Sequence, residues 1–92
     1  MSEITLARDI ERAAHAARLI ADDLLSGAFA ALEADYIAAW RGTAARDTDA
    51  RERLWQAVQI VGLVKAQLAG VVSHGRLAQH ELDAIAGGRA KA

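Results

Sequence analysis

Leu6, Ile10, Ala13, Ala17, Ile20 and Leu24 follow one another at steps of 4, 3, 4, 3 and 4 residues, and this seven-residue beat constrains the fold more than any other feature. A repeat averaging 3.5 residues draws one apolar seam along a helix, and such a seam calls for a second helix to cover it. A second seam, Leu25, Phe29, Leu32, Tyr36 and Ala39, starts one residue out of phase, and the slip falls at Ser26-Gly27. The chain is therefore patterned for helix-on-helix contact, with itself or with copies of itself.

Composition points the same way. Of 92 residues, 23 are Ala, the strongest helix former, and none is Pro, so nothing breaks a helix by that route. No run alternates bulky strand formers with polar residues, so no strand is expected. Absence of Cys removes disulfides, thiolate metal sites and a Cys nucleophile. The length suits one small domain over 1–92, of a size that oligomerisation often helps to stabilise.

The spacing predicts a heptad helix over 4–25, capped by the hydroxyl of Ser2 or Thr5. A kink or short turn is expected at Ser26-Gly27. A second helix follows over 28–40, carrying the aromatic stripe Phe29, Tyr36 and Trp40 and ended by Gly42 in the left-handed conformation. The third, over 49–72, starts with capping-box spacing from Asp49 to Glu52, with Asp47 and Thr48 as competing caps. Leu54, Val58, Val61, Lys65, Leu68 and Val72 keep the beat there, and Ile60, Leu63, Val64 and Val71 widen the apolar surface until it asks for cover on two sides. Ser73-His74-Gly75 reads as a stop, with Gly75 as cap. A last helix over 77–86 ends at Gly87-Gly88, and 89–92 reads as a frayed basic tail. The expected fold is all-α: three to four helices built on an antiparallel hairpin of 28–40 and 49–72, oligomeric, with the first helix on that pair or on another subunit. The core or interface set is Leu6, Ile10, Ile20, Leu24, Phe29, Leu32, Tyr36, Trp40, Leu54, Trp55, Val58, Val61 and Leu68.

Catalytic equipment is sparse. His15, His74 and His80 are never four residues apart, and no zinc, phosphate-loop or nucleophile-elbow motif occurs. Ser and Thr concentrate at expected helix ends, where capping explains them. Asp22-Asp23 and Glu33 with Asp35 do not recur at the helical spacing of a carboxylate metal bundle. The expectation is a non-enzymatic chain with no metal and no cofactor.

Charge is more suggestive. Residues 1–40 carry net −4 and residues 41–92 net +3. Halves of opposite sign can attract head to tail in a ring or stack. Arg41, Arg46, Arg51 and Arg53 gather around the central loop and are candidates for phosphate contact, although Asp47, Asp49 and Glu52 interleave with them. Trp40 and Trp55 bracket this cluster. They either close one end of a hairpin core or serve as anchors of a subunit interface.

The segment from Phe29 through Trp40-Arg41 to Arg51-Glu52-Arg53-Leu54-Trp55 resembles short helical proteins of tailed-phage and gene transfer agent packaging clusters, of the reduced terminase small-subunit kind. The resemblance implies a homo-oligomer that recruits double-stranded DNA weakly and without sequence preference and contacts the large terminase subunit. That contact would fall to Leu77, Leu82 and Ile85. Residues 1–25 depart from the family's helix-turn-helix and read as a single heptad helix. A helical adaptor that binds a partner protein without nucleic acid is the alternative.

The N-terminus carries acidic residues where a secretion signal needs a basic region, and no apolar run reaches the roughly 18 residues of a membrane span. The expected setting is cytoplasmic, with no membrane partner.

Overall fold

The computed structural model describes the backbone of residues 2–91 and the side chains of residues 2–88. It is all-helical, with three helices, α1 (Glu3–Ala21), α2 (Asp23–Gly42) and α3 (Thr48–Lys91), and no strand among the described residues. The chain divides into two compact units. One joins α1 to α3 from Gln67 onward; the other runs from Asp22 to Ala66.

Local chemistry sets each helix end. The Ser2 hydroxyl accepts from the Thr5 N–H at 3.2 Å, so Ser2 caps α1. The break after α1 comes at Asp22, earlier than the expected Ser26-Gly27. Asp22 leaves helical geometry at φ −70° and ψ 121°, and its carboxylate accepts from Leu25 N–H at 2.8 Å. A carboxylate there satisfies an orphan donor and meets the positive end of the helix dipole. Ser26 N–H already donates to Asp22 C=O, which places Ser26-Gly27 inside α2.

α2 ends without a left-handed glycine. Gly42 is its last residue, and no described glycine has positive φ. Thr43 closes the helix instead, its backbone N–H and its hydroxyl both donating to Trp40 C=O, at 3.1 and 2.6 Å. Of the three competing caps for α3, Asp47 takes the position: its Oδ1 accepts from Ala50 N–H at 3.3 Å, so α3 begins at Thr48 and not at residue 49.

The largest departure lies at Ser73-His74-Gly75. No stop occurs there, and one helix replaces the expected pair over 49–72 and 77–86; it also runs through Gly87-Gly88 to Lys91. The expected frayed tail is therefore helical to Lys91, while its side chains and Ala92 lie outside the described residues. The reason is packing. Gly75 is buried, and a Cβ added to it would collide with the Ala13 methyl and press on Asp9 C=O at 3.3 Å. The glycine serves close approach of α1, not termination. The buried face of α3 continues past Val72 through Gly75, Ala78, Leu82 and Ile85, all buried or half-buried, with the beat shortened by one residue between Gly75 and Ala78.

In this unit Leu6 is 1% exposed and forms the best-buried side chain, joined by Ala13, Ala16 and Ala78. Leu6 shares a groove with Ala78, whereas Ala17 and Ile20 share one with Ala69 and Val72, so α1 runs antiparallel to this part of α3. Ala16, not the expected Ala17, is the buried member of the α1 seam. In the Asp22–Ala66 unit Val61 alone falls among the buried apolar side chains, and α2 buries none fully. Leu25, Phe29, Glu33 and Tyr36 are its half-buried face.

Candidate interaction surface

The loop between α2 and α3 is organised by one side chain. The Arg51 guanidinium lies over the Trp40 ring, 4.2 Å from its centroid. Its Nη1 donates to Thr43 Oγ1 at 3.0 Å and points at the carbonyls of Thr43 and Trp40 at 3.4 and 3.5 Å. Arg51 thus supplies donors to C-terminal carbonyls that α2 cannot satisfy itself, and a cation at the negative end of a helix dipole. Fourteen residues further along α3, Lys65 Nζ meets Glu33 Oε1 at 3.2 Å, an exposed pair of small energetic weight.

Beside this loop, Ile37, Trp40, Arg41, Leu54, Trp55 and Val58 line an open apolar cavity of about 270 Å³. Both indoles and one guanidinium therefore surround the same hollow. Trp55 is 56% exposed, and Trp40 is also exposed.

The four arginines singled out from sequence do not act alike. Arg51 is half-buried and occupied by Trp40 and Thr43, whereas Arg41, Arg46 and Arg53 are exposed. The interface set also divides. Leu6 and Val61 are buried; Ile10, Phe29, Tyr36, Leu54, Val58 and Leu68 are half-buried; Ile20, Leu24, Leu32, Trp40 and Trp55 are exposed. Leu24 belongs to α2 and not to the seam of α1, and at 84% it is the most exposed large apolar side chain among the described residues. Of the C-terminal trio, Leu77 is exposed, while Leu82 and Ile85 are half-buried on the α3 stripe.

A second surface lies on α3 itself. Ile60, Leu63 and Val64 are exposed, and their i, i+3 and i+4 spacing places them together along one flank of the helix. From Leu54 to Gly75 the only formal charge is Lys65. By length and composition α3 has an 18-residue window apolar enough to cross a membrane, contrary to the expectation from sequence, and little of that window is buried. Gln56, Gln59, Lys65 and Gln67 interrupt this stretch, so it contains no unbroken apolar run.

In the unit containing α1, Asp9, Arg12, Gln67, Gly70, Val71 and His74 line a more polar hollow of about 340 Å³. No group of three or more His, Asp or Glu is placed to hold a metal ion among the described residues. Compared with protein-family models, curated proteins and solved structures, the chain matches none.

Proposed function

We propose that this chain is a non-enzymatic, self-associating helical accessory protein of the kind that serves phage-type DNA packaging, similar in role to a terminase small subunit. One observation carries the reading. Within Asp22–Ala66 six large apolar side chains are exposed, Trp55, Ile60, Leu63 and Val64 on α3 and Leu24 and Leu32 on α2, with Ile60, Leu63 and Val64 sharing one flank of their helix. Soluble monomers rarely leave such side chains together in water, and covering them with further copies is the direct remedy.

In this reading α2 and the first part of α3 form an antiparallel hairpin that is the oligomerising element. The contacts of Trp40 with Arg51 and of Glu33 with Lys65 support it, because both join α2 to α3 across the loop. DNA is held weakly by Arg46 and Arg53, repeated around the assembly, where multiplicity compensates for few contacts per copy. Leu77, with Leu82 and Ile85, meets the large terminase subunit, in the cytoplasm.

A second reading is a helical adaptor that binds a partner protein without nucleic acid. The engagement of Arg51 inside the loop favours it, since that removes one of four cations from any phosphate surface. Absolute mass by light scattering, paired with retention on duplex DNA over a salt series, tests both. A large assembly with salt-sensitive retention is expected. An assembly indifferent to DNA transfers the conclusion to the adaptor, and a monomer overturns self-association.

A further inference from the structure

Leu24 and the two-indole hollow are a projection and a recess on opposite ends of one helix. Leu24 stands in the first turn of α2, 84% exposed, next to Asp22 and Asp23. Trp40 and Arg41 stand in its last turn and line the hollow with Trp55. Sixteen residues at 1.5 Å per residue separate Leu24 from Trp40 by about 24 Å, so Leu24 cannot fill the hollow of its own unit.

Their electrostatics match. The projection is a leucine on an acidic turn. The recess is apolar, with Arg41 in its lining and the Arg51 guanidinium stacked on one of its indoles. The acids near the recess are partly committed: Asp47 caps α3 and Glu52 accepts from Gln56, leaving Asp49 in the first turn of α3.

We propose that Leu24 of one copy seats between Trp40 and Trp55 of the next, with Asp23 of the first copy against Arg41 of the second. This deepens the self-association reading and rests on it, naming the occupant of the hollow as a second copy of this chain. Because projection and recess are different surfaces, the contact is head to tail. Each bound copy presents a fresh Leu24 and a fresh recess, and the chain of contacts closes into a ring or continues as a filament.

The test uses the full chain and two variants. Leu24→Asp removes the projection at a helix position where an acid is favourable, so α2 stands. Trp55→Ala empties the recess at an exposed helix position and introduces the best helix former. Each variant alone is expected to lose assembly with unchanged helicity by circular dichroism. Mixed in equal amounts, they retain one intact projection and one intact recess, and a heterodimer of one copy each is expected by light scattering, with nothing larger. Wild-type mass in either variant, or no heterodimer in the mixture, overturns the proposal while leaving self-association standing. A monomeric parent chain overturns both. Charge exchange gives an independent reading: Asp23→Lys and Arg41→Glu each weaken assembly about tenfold or more, and the double exchange restores it. Failure of that restoration also counts against the proposed pairing.

Discussion

Gly75 sits so close to Ala13 that the two positions have room for one methyl group between them. The consequence is a stability test with a sign that helix propensity alone gets wrong. Gly75→Ala gains about 1 kcal/mol of propensity in a helix interior, but the new methyl meets another on a fixed backbone, and overpacking of that kind costs about 1–3 kcal/mol. A net loss is expected, with α1 loosened. Ala13→Gly combined with Gly75→Ala moves the methyl to the other helix and should recover much of the loss. Denaturant unfolding of the two single variants and the double variant, analysed as a cycle, measures the coupling. Gly62→Ala is the control. Nothing lies within 4 Å of a Cβ there, so it should stabilise by up to about 1 kcal/mol.

The Arg51 clamp makes a second test. Replacing Arg51 by Ala leaves Thr43 and the last carbonyls of α2 without this donor and removes the cation from the Trp40 ring. A loss of about 1–2 kcal/mol is expected, from a charged hydrogen bond and an exposed cation–π contact. Lys should rescue little, because the planar guanidinium both stacks and donates in the same pose. Thermal melts and the Trp emission wavelength report the two effects separately.

Much of this fold was legible in the sequence, and the failures share a cause. The beat identified an all-helical chain; of its second seam Leu25, Phe29 and Tyr36 are half-buried, whereas Leu32 and Ala39 are exposed and Glu33 takes a place on that face. At Gly75 and Ser26-Gly27 the local cost of glycine predicts a break that the structure does not have. That cost is small against what it permits, in one case a close helix crossing, in the other simple continuation from a strong Asp22 cap. The signal for Gly75 was present, since it falls in step with Leu68 and Val72 and leads to Ala78, Leu82 and Ile85. Arg51 and Thr43 were not legible, because their contact links a helix C-terminus to a residue eight positions on, a distance that no periodic pattern encodes. Nor could composition distinguish an occupied arginine from an exposed one.

That distinction yields a third prediction. If phosphate is gripped by the exposed side chains, Arg46→Ala combined with Arg53→Ala should reduce DNA retention and flatten its salt dependence by roughly two phosphate contacts per copy. Arg51→Gln should change the salt slope little, since its guanidinium is held by Trp40 and Thr43. Retention over a salt series, at matched assembly mass, separates the two. Equal effects from Arg51 and from the exposed pair would mean that the loop opens to bind DNA.

Lys65 decides between water and lipid for α3. It is the one charged residue from Leu54 to Gly75, and it pairs with Glu33 at 3.2 Å. A lysine at the centre of a membrane helix costs about 2.5–3.5 kcal/mol, and Gln56, Gln59 and Gln67 add to the penalty around it. The exposed apolar stripe of Ile60, Leu63 and Val64 is therefore expected to be covered by protein, and the chain to remain in the aqueous fraction when floated with neutral vesicles. Lys65→Leu removes the central charge and leaves Glu33 alone on α2, so a measurable shift into the vesicle fraction is expected from that single change. Flotation of the unaltered chain with neutral vesicles, independent of protein concentration, would instead make α3 a membrane element and remove the need for a second copy on that face.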